Sequence, residues 1–289
     1  MTTRLDAHTL ASLGVTLIFW ASAFAGIRAA LEAYSPGHLA LLRFLVASAT
    51  LAIYAALTRM PLPRRRDVPA ILALGFVGIT VYHVALNYGE VSVSAGPAAM
   101  LIAAGPVFTA ILATLFLGER LKAWGWAGIG VSFVGAALIA LGEGEGLQFD
   151  PGALLILVAA AATATYFVFQ KPYLKQYSAL QFTAYGIWAG TLFMLVFLPG
   201  LPQAIQTAPP GATLAAAYLG VFPAAIAYVT WTYVLARAPA SIATSFLYLS
   251  PVLATLIAWV WLGEVPAALA LVGGTLALAG VVLVNTRGR

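Results

Sequence analysis

The sequence predicts an all-α membrane protein: ten transmembrane helices built as two inverted-topology repeats of five. Three observations predict it. First, 62% of the 289 residues are hydrophobic and 8% are charged, with a mean hydropathy of +0.97. A soluble domain carries about 25% charged residues, so this chain cannot cover a water-facing surface. Second, the chain divides into ten apolar runs of the length that crosses a bilayer, about 20 residues. Third, it resembles itself at a spacing of 145 residues. The composition excludes a soluble enzyme, a disordered protein and a disulfide scaffold. The absence of cysteine also removes thiolate metal sites.

Backbone groups in lipid need internal partners, so each run is a helix. Span one, Thr9–Ala30, contains Ala21-Ser22-Ala23, which looks like a signal-peptidase site. The apolar pattern continues through Phe24, Ile27 and Leu31, so the segment is kept as a span. Span two is Gly37–Leu57 and holds Arg43 within it. Span three, Val68–Asn87, carries His83 and Asn87. Span four, Ser94–Leu117, has Pro106 near its middle and ends in Leu117-Gly118-Glu119. Span five, Ala123–Leu141, is glycine-rich at Gly125, Gly128, Gly130 and Gly135. Spans six to eight are Gly152–Gln170, Ala179–Leu198 and Thr213–Leu235, the last with Pro223. Span nine, Ala240–Leu262, has Pro251 and ends in Leu262-Gly263-Glu264. Span ten, Ala267–Val284, repeats the glycines at Gly273, Gly274 and Gly280.

Ten spans sort the charges. The side with the N-terminus receives 12 of the 14 basic residues, among them Arg64, Arg65 and Arg66. The opposite side receives Arg28 alone, with Glu32, Glu90, Glu143, Glu145, Asp150 and Glu264. The positive-inside rule then puts both termini in the cytoplasm. The net charge of +5 and the pI near 9.6 are therefore an orientation signal, not a nucleic-acid patch.

A shift of 145 aligns Gly75 with Gly220, Pro106 with Pro251, Glu119 with Glu264, Gly128 with Gly273 and Gly135 with Gly280. A shift of 143 pairs Tyr34-Ser35 with Tyr177-Ser178, and Arg28 with Lys171. The halves are residues 1–145 and 146–289. Five is odd, so the second half enters the membrane upside down, as in many secondary transporters. That architecture predicts a site between the halves near the midplane, and alternating access.

Paired five-span halves, each with a mid-span proline helix ending in Leu-Gly-Glu, resemble the EamA-type transporters of the drug/metabolite transporter superfamily. Phe19-Trp20-Ala21-Ser22-Ala23-Phe24 followed by Arg28, and Ser35-Pro36 followed by Arg43-Phe44, carry the likeness in the first half. It covers the whole chain. Within the family, the chain most resembles the YddG-type exporters of aromatic and other neutral amino acids. The resemblance implies helices one, three, four, six, eight and nine around a central cavity, with five and ten outside.

His83 and Asn87 lie four apart on one helical face, and their repeat partners Tyr228 and Thr232 do the same. Such a face points away from lipid, into a solute path or an interhelical hydrogen-bond network. Arg43 either snorkels or pairs with Glu32 or Glu90, or it binds a substrate carboxylate. Trp20, Phe24, Tyr82, Met100, Tyr166 and Tyr248 join the candidate lining of the cavity, whereas Trp124, Trp126, Trp259 and Trp261 are interfacial anchors. Gly78, Pro106, Pro223 and Pro251 are candidate hinges or fixed bends. Glu119 and Glu264 cap the following helix or couple protons. The glycines of spans five and ten serve packing or dimer contacts.

The chain has no carboxylate deep in a span, no His-Glu-x-x-His and no P-loop. The expectation is therefore not an enzyme but an inner-membrane exporter of amino acids, without cofactor or metal. Its partners would be the lipid bilayer and a small amino acid, not nucleic acid, with the protein a monomer or weak homodimer. Export of drugs or cationic toxicants, or a receptor or assembly subunit without flux, are the alternatives.

Overall fold

A computed structural model describes residues 6–116, 122–143, 149–170, 172–235 and 246–287. The described residues are helical, with no strand among them. Ten apolar helices follow the ten spans. They are α1 (Ala7–Leu31), α2 (Pro36–Thr58), α3 (Val68–Gly75, Phe76–Val81 and Tyr82–Gly89), α4 (Ala95–Ile102 and Gly105–Phe116) and α5 (Ala123–Glu143). The second half gives α6 (Pro151–Phe169), α7 (Ala179–Met194), α8 (Pro210–Val221, Phe222–Ile226 and Ala227–Leu235), α9 (Ser250–Leu262) and α10 (Ala268–Arg287). A short helix, Leu201–Thr207, lies between α7 and α8.

The helix ends follow from local chemistry. Ser35 and Ser178 each cap the helix that follows, α2 and α7, by accepting a backbone N–H three residues on. Gln181 completes a capping box on Ser178. Asp6 and Asp150 cap α1 and α6. Gly263 ends α9 in the left-handed region at φ +70°, which a residue without a Cβ adopts freely.

Four helices depart from a continuous α-ladder, at matched places. In α3 and α8 a π-helical turn interrupts the helix, at Phe76–Val81 around Gly78 and at Phe222–Ile226 around Pro223. In α4 the ladder breaks at Ala103–Ala104, just before Pro106, and α9 is preceded by a 3-10 turn, Phe246–Leu249, just before Pro251. Proline removes a ladder donor and clashes with the preceding turn, which explains the breaks at Pro106, Pro223 and Pro251; the π turn of α3 has no proline and centres on Gly78.

The packing exchanges partners between the halves. Helices α1 and α2 pack on α8 and α9, and α6 and α7 pack on α3 and α4. Helix α2 meets α7 in the middle, and α5 pairs along its length with α10. Each of these contacts maps onto another, or onto itself, when the halves are exchanged. The tyrosines of the repeated Tyr-Ser obey the same exchange. Tyr34 hydrogen-bonds Thr213 at the start of α8 at 2.7 Å, and Tyr177 donates to Asp67 at the start of α3 at 2.6 Å. Burial, with Asp67 beside it, holds the Tyr177 phenol above its usual range.

The glycines of α5 and α10 are used within the chain. A Cβ on Gly135 would lie 2.4 Å from the Ala277 nitrogen, and one on Gly128 would lie 2.8 Å from the Gly280 carbonyl oxygen. The two backbones touch, which only glycine permits.

The two ends of the bundle differ in charge. At the acidic end, Arg28 on α1 donates through Nε to Glu264 at 2.7 Å, and through Nη1 to the carbonyls of Glu90 and Val91. The other Glu264 oxygen accepts the Ala95 N–H at 2.9 Å, and Glu143 accepts that of Ser94 at 2.8 Å. Glu264 therefore caps α4, in the opposite half, rather than the following helix α10. The sequence expects a cap on the following helix, or a proton-coupling group; the amide that Glu264 accepts belongs to α4 instead, because sequence adjacency does not reveal which amide ends converge. Glu119 and Lys171 lie outside the described residues. The plate ties α1, α4 and the α9–α10 connection together, and the N-terminal half of α4 packs on α9 beneath it. At the basic end, Arg64 and Arg66 donate to the Gln176 amide oxygen.

Candidate functional site

The densest buried polar group lies between α2 and α3, toward the acidic end. Asn87 donates from Nδ2 to the Pro36 carbonyl at 3.1 Å, which fixes the level of the two helices. Arg43 sits seven residues into α2, about 10 Å below Pro36 at 1.5 Å per residue. His83 is one turn inward of Asn87, and its ring lies 4.3 Å from that of Phe44 and 4.3 Å from that of Tyr82. The Arg43 guanidinium lies 5.5 Å from the centre of the Phe44 ring. Glu90 closes α3 at its C-cap.

These groups are closed off from solvent. Arg43 is 2% exposed, His83 6%, and Asn87 and Glu90 0%. The central cavity implied by the family resemblance is thus not open at these residues. Several of their polar atoms have no hydrogen-bond partner: Nε and Nη1 of Arg43, both ring nitrogens of His83, Oδ1 of Asn87 and both carboxylate oxygens of Glu90. A buried polar group without a partner costs roughly 1–3 kcal/mol, and more when charged. Such groups are usually satisfied, so each one here calls for a cause.

Two of the three readings of Arg43 fail in this structure. It does not snorkel, because it is buried. It forms no ion pair with Glu32 or Glu90; the ion pairs among the described residues are Arg28–Glu264 and Arg66–Asp67. Glu32 is on the surface. The physical reason is depth. Arg43 lies about two turns below Pro36 on α2, whereas Glu90 closes α3 one turn beyond Asn87, which is level with Pro36.

An aromatic cluster lies on the other side of the centre. Trp20 on α1 donates from Nε1 to the Pro223 carbonyl at 3.2 Å, at the π turn of α8. Its ring lies 5.6 Å from Tyr228 and 5.4 Å from Trp231. Tyr166 on α6 covers the other π turn, where a Cβ on Gly78 would fall 2.4 Å from its ring. The two interrupted helices are thus each covered by an aromatic residue from the neighbouring helix.

Other candidates go elsewhere. Met100 packs its sulfur where a Cβ of Gly274 would stand, 2.0 Å away, so it faces α10 and not this group. A flexible thioether there fills the space left by a glycine. Phe24 is buried in the large apolar cluster to which α1, α4 and α8 all contribute. The backbones of Pro106, Thr232 and Tyr248 are placed, in α4, α8 and the turn before α9, and their side chains lie outside the described set. Sequence reasoning left out Glu90, Phe44 and Trp231 as site residues. Glu90 had a readable signal: His83, Asn87 and Glu90 fall at i, i+4 and i+7, one stripe of α3.

The arrangement is that of a multi-pass membrane protein with a polar centre between two exchanged groups of helices, and among the described residues no cluster of His, Asp or Glu could hold a metal ion. Comparison with known proteins makes the class definite. The profile of the EamA-like transporter family matches the chain twice, at residues 10–141 and 150–286. The chain belongs to this family of membrane transporters, within the drug/metabolite transporter superfamily. It is 47% identical over 262 residues to the uncharacterized transporter YdfC of Bacillus subtilis, covering 91% of this chain and 86% of that one. It is 45% identical over 276 residues to a probable terminal-alkyne amino-acid exporter of Streptantibioticus cattleyicolor, covering 96% and 93%. A crystal structure with 20% sequence identity superposes with a TM-score of 0.63 over 96% of both chains, which shows the shared fold.

Proposed function

We propose that this transporter exports amino acids, aromatic and other neutral ones included, across the bacterial inner membrane by alternating access. Both termini would face the cytoplasm, so the basic end is the inner face and the plate of Arg28 and Glu264 closes the outer one. The observation that carries the reading is Arg43. A buried guanidinium with two unpartnered nitrogens is a ready receptor for a carboxylate, and it needs that partner to offset its own desolvation. The surroundings of Phe44, Tyr82, His83, Trp20 and Tyr228 suit a solute that is partly apolar and neutral overall. The amino-acid exporter among the relatives, at 45% identity, agrees with that solute class.

Gly78, Pro106, Pro223 and Pro251 would serve as hinges. All four sit at the interruptions of α3, α4, α8 and α9, where a π turn or a broken ladder leaves backbone bonds free to exchange. The test is reconstitution in liposomes with labelled Phe, Trp, Thr and Met. Saturable flux of at least one supports amino-acid export. Flux only of a lipophilic cation would instead assign the chain to toxicant export.

A further inference from the structure

Among the described residues, four charged side chains are buried: Arg43, Asp67, Glu90 and Asp150. Asp67 accepts from Tyr177, and Asp150 from Ser92 and the Gly152 N–H. Arg43 and Glu90 are a base and an acid on helices that pack together, yet they do not pair. Neither Glu90 oxygen has a hydrogen-bond partner, and the Asn87 Oδ1, one turn inward on the same stripe, has none either.

We infer that Glu90 and the Asn87 amide oxygen hold the α-ammonium of the transported solute while Arg43 holds its carboxylate, so the site selects the complete zwitterion. The inference rests on the amino-acid reading above. The count of bonding groups fits. An ammonium offers three donors, and Glu90 with Asn87 offers three unpartnered acceptor atoms. A carboxylate offers acceptors to the free Nε and Nη1 of Arg43. A ligand with only one of the two ends would satisfy one buried group and leave the other's atoms without partners. A zwitterion satisfies both and leaves the net charge of the site unchanged.

Position favours the same assignment. Glu90 stands at the C-terminal end of α3, where the helix dipole adds negative potential and draws a cation. The other cation close to Glu90 is Arg28. It is already engaged by Glu264 and by the carbonyls of Glu90 and Val91, so its charge is offset there. The Phe44 ring lies against Arg43, with His83 and then Tyr82 beside it, and none of these brings a carboxylate. Pseudo-symmetry does not require Glu90, since its repeat counterpart is Leu235. A carboxylate retained in one half only is suited to a solute whose two ends differ.

The experiment uses the full chain in liposomes with three probes: labelled L-phenylalanine, 3-phenylpropanoate, which lacks the amino group, and phenethylamine, which lacks the carboxylate. The unaltered protein should prefer phenylalanine to both. In Glu90→Gln the preference over 3-phenylpropanoate should fall by at least about tenfold, the factor lost with one charge-assisted bond. The preference over phenethylamine should persist in that variant and collapse in Arg43→Gln. Phenylalanine flux in Glu90→Gln with the original preference over 3-phenylpropanoate would overturn the role of Glu90 and leave amino-acid export standing. No flux of Phe, Trp, Thr or Met in the unaltered protein would overturn both; where one of the others moves and Phe does not, that amino acid and its analogues lacking the amino group or the carboxylate serve as the three probes. Should Glu90→Gln fail to fold, competition on the unaltered protein decides: 3-phenylpropanoate inhibiting as well as phenylalanine contradicts the inference, and weak inhibition supports it.

Discussion

Arg43 forms no ion pair and its Nε and Nη1 have no hydrogen-bond partner, and that separates a binding role from a structural one. Removing one partner of a buried ion pair destabilises a protein, because the other charge is left exposed to the low-dielectric interior. Removing a buried charge that lacks an ion-pair partner and keeps unbonded nitrogens takes away a cost. Arg43→Gln should therefore lower amino-acid flux by about tenfold or more while the thermal midpoint holds or rises. Flux assays and thermal unfolding in detergent, on the same preparation, check both halves of that expectation. The sequence disclosed part of this centre. The spacing of His83 and Asn87 placed two polar groups on one face, and the spacing extends to Glu90. The isolation of Arg43 could not be read, because whether an arginine pairs depends on distances across helices that no spacing along one helix encodes.

The helices follow the hydropathy runs closely, since lipid forces each long apolar segment into a continuous ladder. Alignment of Gly78 with Pro223, and of Pro106 with Pro251, marked where ladders are interrupted. The π form of the first pair was not legible, because one extra residue in a turn leaves apolar composition unchanged. Gly78→Ala would push a methyl into the Tyr166 ring, 2.4 Å away. It should slow flux more than it lowers stability if the π turn rearranges during transport; equal loss of both would make the turn a fixed bend. The α5–α10 pair makes a separate prediction. Gly135→Ala should destabilise by about 1–3 kcal/mol through overpacking against Ala277. Gly130→Ala, where no atom lies within 4 Å, should be neutral or slightly stabilising. Thermal unfolding of the two variants distinguishes a glycine spent on helix contact from one facing lipid.

At the scale of the molecule, the repeat is visible in chemistry as well as in packing. Gly75 of α3 abuts Ala189 and Gly186 of α7, and its partner Gly220 of α8 abuts Arg43 and Val46 of α2. Under the proposed alternating access, such exchange would let one conformation of the halves convert into its counterpart across the membrane. The charge sorting made ten spans and a two-sided molecule legible from sequence, because topology is written in loop composition. The plate at the acidic end was not legible, since Arg28 and Glu264 are 236 positions apart. Breaking it with Glu264→Gln should favour opening at that end. The chain contains no cysteine, so a single Thr255→Cys reporter, placed at the contact with Gly96, can be introduced without background. A membrane-impermeant maleimide should label that cysteine faster in the Glu264→Gln background than with the plate intact; equal rates would remove the plate from the gating account. The most direct test of the central claim is flux itself. Purified protein in sealed liposomes, given labelled Phe, Trp, Thr and Met in turn, should move at least one of them saturably and faster than protein-free liposomes. Flux equal to that of empty liposomes for all four would contradict amino-acid transport by this chain.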